Sequence, residues 1–389
     1  MSKKNKANLR RRIVGSKNVL QERFINQKKI NQINEALTKK NIPELRKLAT
    51  RGGLVNNGLR RLCWPLLLHY ETYDKKDIQE EHKDERQVLL DVDRSFVYYP
   101  KGISNAEKKQ KQSELNDVIV GILRRHPNLA YYQGFHDICS VLLLVLGNKE
   151  AAIKAGENIA MFLLRDAMLD SLEPIMRQLT LLNTLIRLED QAVADFLENS
   201  NTLPYFCLSW VITWCSHDVR DFSKVARLFD FFISSDPLIS IYLSARVVIH
   251  RRKELLTLEC DSAIVHTFLA KFPQYIDMDE LISKTIEMYN KYRKDPPLVL
   301  QKAINEALDE TSCAKLYEQY WLKLKADDPI DYLAVDKIPS PSLPSAKKSM
   351  QIKNARKQNN LKPDKIAVML IIAIIFLLLV ISRKFNTNI

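Results

Sequence analysis

Apolar residues recur at three- and four-residue intervals along most of this 389-residue chain, and only nine glycines occur in it. That pairing constrains the fold more than any other feature. A helix buries one stripe at such spacing, whereas strands alternate and sheets need turn-forming glycines. With 46% apolar residues there is ample material for a core. The expectation is an all-α protein, built as one large domain or two tightly joined lobes. Periodicity predicts helices over 23–36, 41–50, 60–72, 84–97, 105–125, 135–147, 150–168, 172–197, 204–217, 221–233, 237–255, 262–270, 276–292 and 296–322. Asp236-Pro237 reads as a cap followed by proline at the first helical position.

The net charge of +13 is unevenly placed. Residues 1–60 carry 16 Lys or Arg against Glu22, Glu35 and Glu44, and 341–365 carry seven against Asp364, so 61–340 is net negative by about eight. Basicity confined to the flanks argues against a folded nucleic-acid-binding domain, whose positive face would belong to the core. A cationic arm over residues 1–50 suits an anionic membrane surface, or simply keeps an arm solvated. The six cysteines form no CxxC pair and sit mostly in apolar segments, as small buried hydrophobes of a reducing compartment. The seven histidines form no HxxxH or His/Cys cluster, so no metal site is expected. Met1 to Arg12 is basic but lacks the apolar run of a signal peptide.

Near the other end, Ile366 to Ile381 contains no charged or polar side chain. At about 1.5 Å per residue such a run with its flanks reaches roughly 24–30 Å, enough for a thin bilayer. A Pro/Ser/Lys-rich tether over 338–364 precedes it, and Arg383 and Lys384 begin a short tail over 383–389. The expectation is a single transmembrane helix over 366–382 with the globular part in the cytosol, because the basic residues concentrate on the N-terminal side.

Three short segments carry candidate chemistry. Arg60 and Trp64 stand four apart and share a helical face, which suits packing of a ring over an arginine stem. Asp91 and Arg94 stand three apart, so the carboxylate can hold the guanidinium in one direction; alone this is also what a surface ion pair looks like. Gln133 lies beside Gly134 in a turn-prone stretch flanked by Tyr131, Tyr132 and Phe135. Its amide can donate and accept at once, which suits a positioned water or a helix-start hydrogen bond.

In this order the segments resemble the TBC-domain family of Rab GTPase-activating proteins, marked by RxxxW, IxxDxxR and YxQ elements. Here these read Arg60 with Trp64, Val88 with Asp91 and Arg94, and Tyr131 with Gln133. A fourth likeness is Leu208-Ser-Trp210 through Thr213, followed by Arg227-Leu-Phe-Asp230. Val88, Phe135 and Phe229 depart from the family's isoleucine, tyrosine and tryptophan. The resemblance implies a two-lobed helical domain over 54–240, with 241–325 as further helices of the same unit. YYQGFHD looks like the membrane-anchored branch that acts on the Rab of ER-to-Golgi traffic.

What the resemblance implies for mechanism is an arginine finger at Arg94 and a water-positioning glutamine at Gln133. Asp91 would orient Arg94, Tyr131 and Gly134 would shape the glutamine's loop, and Arg60 and Trp64 would brace the helix beneath. The partner is a Rab-type GTPase in its GTP form, which brings GTP and Mg²⁺, so no cofactor is expected on this chain, and no nucleic acid. Membrane lipid is met through the C-terminal span, in the endoplasmic reticulum. The rival expectation is a catalytically silent Rab-binding or membrane-tethering protein.

Overall fold

A computed structural model describes residues 24–70 and 80–332. Helices α1 (residues 24–38), α2 (Ile42–Thr50), α3 (Asn57–Leu67), α4 (Glu85–Asp93), α5 (Asn105–Arg125) and α6 (Phe135–Leu146) lead the chain. They are followed by α7 (Lys149–Phe162), α8 (Glu173–Leu179), α9 (Leu181–Glu189), α10 (Gln191–Asn199), α11 (Leu208–Ile212) and α12 (Phe222–Ile233). Then come α13 (Ile239–His250), α14 (Arg252–Leu255), α15 (Ser262–Leu269), α16 (Met278–Arg293), α17 (Leu298–Ala307) and α18 (Cys313–Gln319). Among the described residues there is no β-strand, as the scarcity of glycine predicts.

The helix starts carry their causes in the sequence. Asn56, Asn148, Asp190, Asp221, Asp261 and Asp277 each place a side-chain oxygen on a first-turn N–H. Ser104 and Glu107 form a reciprocal capping box at the start of α5. Those polar signals also break helices that apolar periodicity joins. The expected helix over 172–197 is three: Thr180 turns its hydroxyl onto Arg177 O at 2.6 Å, and Asp190 takes an extended conformation to cap α10. The expected helix over 296–322 divides where Leu308 is extended and Ser312 caps α18. The expected 204–217 helix is a 3₁₀ turn, Pro204–Cys207, and the short α11, ending where Trp214 and Cys215 adopt positive φ. Pro237 is not the first residue of α13; the Asp236 carboxylate instead accepts the Leu238 N–H at 2.8 Å ahead of it.

The centre is α6, of which only Asp137 and Leu144 escape full burial. It packs against α3, α5 and α7, while α12 buries every residue from Val225 to Ile233. Trp64, Phe229 and Trp214 stack or meet edge-on between these elements. Five cysteines are buried, and burial pushes the Cys63 and Cys207 thiols up to about 12; Cys260 departs from the expectation by being exposed. Among the described residues no helix is long and apolar enough to cross a membrane. The expected tether, the span over 366–382 and the tail lie outside the described residues, as do residues 1–23 of the basic arm.

Candidate functional site

Arg94 is the residue at which α4 stops, with φ −99° and ψ 8°. Its side chain is held from within the helix it ends. Nη2 donates to Asp91 Oδ1 at 2.5 Å, and Asp91 is 1% exposed while Arg94 is 33% exposed. A buried anion therefore grips one edge of a guanidinium whose remainder faces outward. Among the described residues Asp91 is the acceptor for Arg94, and only through Nη2. The backbone beneath is also fixed, because Ser95 Oγ donates to Asp91 O and Gln112 Nε2 to Val92 O and Asp93 O. Those bonds occupy carbonyls that a helix end leaves open.

The segment before α6 is fastened to the same helix. His82 Nε2 donates to Leu129 O at 2.9 Å, while its Nδ1 accepts the Asp84 N–H. Asp84 stands at the N-cap of α4 yet caps nothing in it; its carboxylate accepts the Tyr131 N–H at 2.8 Å. The Tyr131 hydroxyl then donates to Asp91 Oδ2 at 2.8 Å. Asp91 thus offers Oδ1 to Arg94, with Gln87 Nε2 also donating to it at 3.3 Å, and Oδ2 to Tyr131. Burial, then the charge of Asp91, push the Tyr131 phenol well above its ordinary range, so the proton stays on it.

Gln133 is exposed, and among the described residues its amide has no hydrogen-bond partner. The helix-start hydrogen bond that the sequence left open is not formed. Gly134, the N-cap of α6, has φ +121°, and a Cβ built on it would stand 2.9 Å from Thr213 Cγ2. Both facts require glycine here. Tyr132 anchors the other side of Gln133, donating from its hydroxyl to Ile212 O at 2.6 Å. The amide is presented by a loop pinned at nearly every neighbouring residue.

Arg60 and Trp64 do something other than pack on one another. Arg60 Nε and Nη2 donate to the Asp230 carboxylate at 2.8–3.1 Å, Trp64 Nε1 donates to Asp230 Oδ1 at 2.9 Å, and Leu54 N–H donates to Oδ2 at 2.9 Å. Asp230, fully buried, joins α3 to α12 as a saturated acceptor. The pair braces the fold, with an acceptor that lies far along the chain.

Sequence reasoning missed Asp84, His136 and Asp137. Asp137 Oδ2 accepts from His217 Nδ1 at 3.0 Å and lies 3.6 Å from His136 Nε2. Burial opposes its ionisation, but His136, His217 and the positive charge of Arg94 together hold its carboxyl below the usual range. Capping chemistry draws attention to Asp84; nothing local marks the other two. Among the described residues no group of His, Cys, Asp and Glu could hold a metal ion.

A family profile described as the Rab-GTPase-TBC domain matches residues 57–256, which contain every side chain named above in this site. TBC1 domain family member 20 of Bos taurus is 35% identical over 303 residues, covering 76% of this chain and 74% of that protein. GTPase-activating protein gyp10 of Schizosaccharomyces pombe is 34% identical over 265 residues, covering 66% of this chain and 70% of that one. The crystal structure of the Ypt/Rab-GAP domain of Gyp1p shares the fold, with a TM-score of 0.55 at 16% identity over 68% of this chain and 98% of that domain.

Proposed function

Because this chain belongs to the Rab-GTPase-TBC domain family, we propose that it is a GTPase-activating protein whose Arg94 and Gln133 complete the nucleotide site of a Rab GTPase. Hydrolysis of GTP asks for a water held in line with the γ-phosphorus and for positive charge where the bridging and γ-phosphate oxygens become more negative. The Rab brings GTP and Mg²⁺; this chain supplies a guanidinium and an amide. Arg94 compensates the developing charge and Gln133 holds the water.

The observation that carries this reading is the division of Asp91 between Arg94 and Tyr131, at 2.5 and 2.8 Å. Through one carboxylate the arginine segment and the glutamine segment are fastened together, leaving Gln133 exposed and Arg94 one-third exposed. Such prior fixing lowers the entropy lost when both groups meet the phosphate. The free edge of Arg94 is available for phosphate oxygens, which a planar fork meets at two points.

The substrate in this reading is the GTP-bound Rab of ER-to-Golgi traffic, and the chain is held at the endoplasmic reticulum by Ile366 to Ile381. The likeness of YYQGFHD to the anchored branch and the apolar run itself support it. The test is single-turnover GTP hydrolysis by a panel of Rabs with wild type, Arg94→Ala and Gln133→Ala. Stimulation of an early secretory Rab that both variants lose is the expected result. Stimulation that survives in both variants overturns the assignment, and no stimulation of any Rab leaves only binding or tethering. A fluorescent fusion of residues 340–389 that marks another organelle overturns the anchoring.

A further inference from the structure

Tyr131 has one hydroxyl proton and two neighbours that could take it. Asp91 Oδ2 lies 2.8 Å away and His136 Nδ1 3.1 Å away. Asp91 Oδ2 is itself 3.6 Å from His136 Nδ1. Giving the proton to the buried carboxylate leaves the phenol oxygen as an acceptor, so His136 Nδ1 must be the donor to it. Both the Nδ1–H tautomer and the imidazolium meet that demand. His136 is only 6% exposed, on the first turn of α6, and its Nε2 faces Asp137. The result is a run of donors in one sense, from His136 to Tyr131 to Asp91, ending on the carboxylate that holds Arg94.

We propose that His136 is a positioning residue for the Arg94 guanidinium, acting through the Tyr131 hydroxyl and the Asp91 carboxylate, and this rests on Arg94 being the finger. A phenol that accepts a hydrogen bond donates a stronger one, so His136 tightens the Tyr131–Asp91 bond. Without it the phenol oxygen is left short of a donor in a buried place, and the hydroxyl is free to leave Asp91. Asp91 then loses the bond that fixes its second oxygen, and the guanidinium loses its fixed direction. His136 also sits between the carboxylates of Asp91 and Asp137, at 3.6 Å from each, and Asp137 feels the charge of Arg94. Asp91, Tyr131 and Asp137 are the groups facing its ring, with His217 beyond Asp137.

A merely structural histidine would lower stability and all activities together; a positioning one acts on the saturated rate and only while Tyr131 has its hydroxyl. The experiment measures single-turnover hydrolysis by the responsive Rab at saturating full-length protein, together with the half-saturating concentration, for His136→Ala, His136→Asn, Tyr131→Phe and Tyr131→Phe with His136→Ala. His136→Ala should lower the saturated rate about tenfold with the half-saturating concentration little changed. His136→Asn, whose amide N–H replaces Nδ1–H, should recover most of it. In the Tyr131→Phe background His136→Ala should cost little more, because the relay is already cut.

Equal losses from His136→Ala in both backgrounds, or a saturated rate unchanged by it, overturn the relay while Arg94→Ala still tests the finger. Failure of His136→Asn to recover a folded protein's rate also counts against it. If wild type stimulates no Rab, the finger reading falls and the relay falls with it.

Discussion

Two arginine–aspartate pairs in this molecule share chemistry and differ in purpose. In the Arg60–Asp230 pair the arginine is 9% exposed and the carboxylate not at all, and the carboxylate is saturated by Arg60, Trp64 and Leu54. In the Arg94–Asp91 pair the carboxylate is equally buried, but the arginine is one-third exposed and gives it a single nitrogen. The first joins α3 to α12 and has nothing left to offer. The second holds a cation by one edge and leaves the other edge open. A buried pair becomes a clamp when every proton and lone pair is met, and a tool when one side is kept unmet.

The largest separation between them should come from Arg94→Lys. A point-charge ammonium cannot reproduce the fork, so stimulated hydrolysis should fall by on the order of 10³ or more, with the melting temperature nearly unchanged. Near-normal hydrolysis by Arg94→Lys would erase the functional half of the comparison. Asp230→Ala should do the reverse: it strands a buried guanidinium and an indole N–H, so unfolding by denaturant should show a loss of roughly 3–5 kcal/mol. A loss below about 1 kcal/mol would mean that the clamp is slack.

Gly134→Ala tests how rigidly the amide is presented. The positive φ and the close Thr213 methyl should together cost about 1–3 kcal/mol of stability, with a lower saturated rate because Gln133 shifts with the loop. Asp91→Asn is the mildest. It keeps an acceptor for Tyr131 but loses the charge facing Arg94, and it should lower the saturated rate about tenfold in the hydrolysis assay.

The difference between the pairs also explains what the sequence reveals. Asp91 and Arg94 lie one helical turn apart, so their bond follows from spacing alone, and Gly134 is legible because only glycine tolerates the turn it makes. Arg60 and Trp64 look like partners for the same reason of spacing, yet their real partner, Asp230, lies 170 residues beyond Arg60. Local periodicity carries no information about a contact made by folding. The same limit hid His136, whose role depends on Tyr131 reaching across to α4. Helix existence was readable from apolar spacing, whereas the breaks at Thr180, Asp190 and Ser312 are set by side-chain oxygens that compete with the backbone.

The cysteines carry a practical consequence. Five of the six thiols are buried, and Cys260, between α14 and α15, alone meets solvent. A maleimide dye should therefore attach at one address on the native chain, labelling it with no engineered change near Arg94 or Gln133.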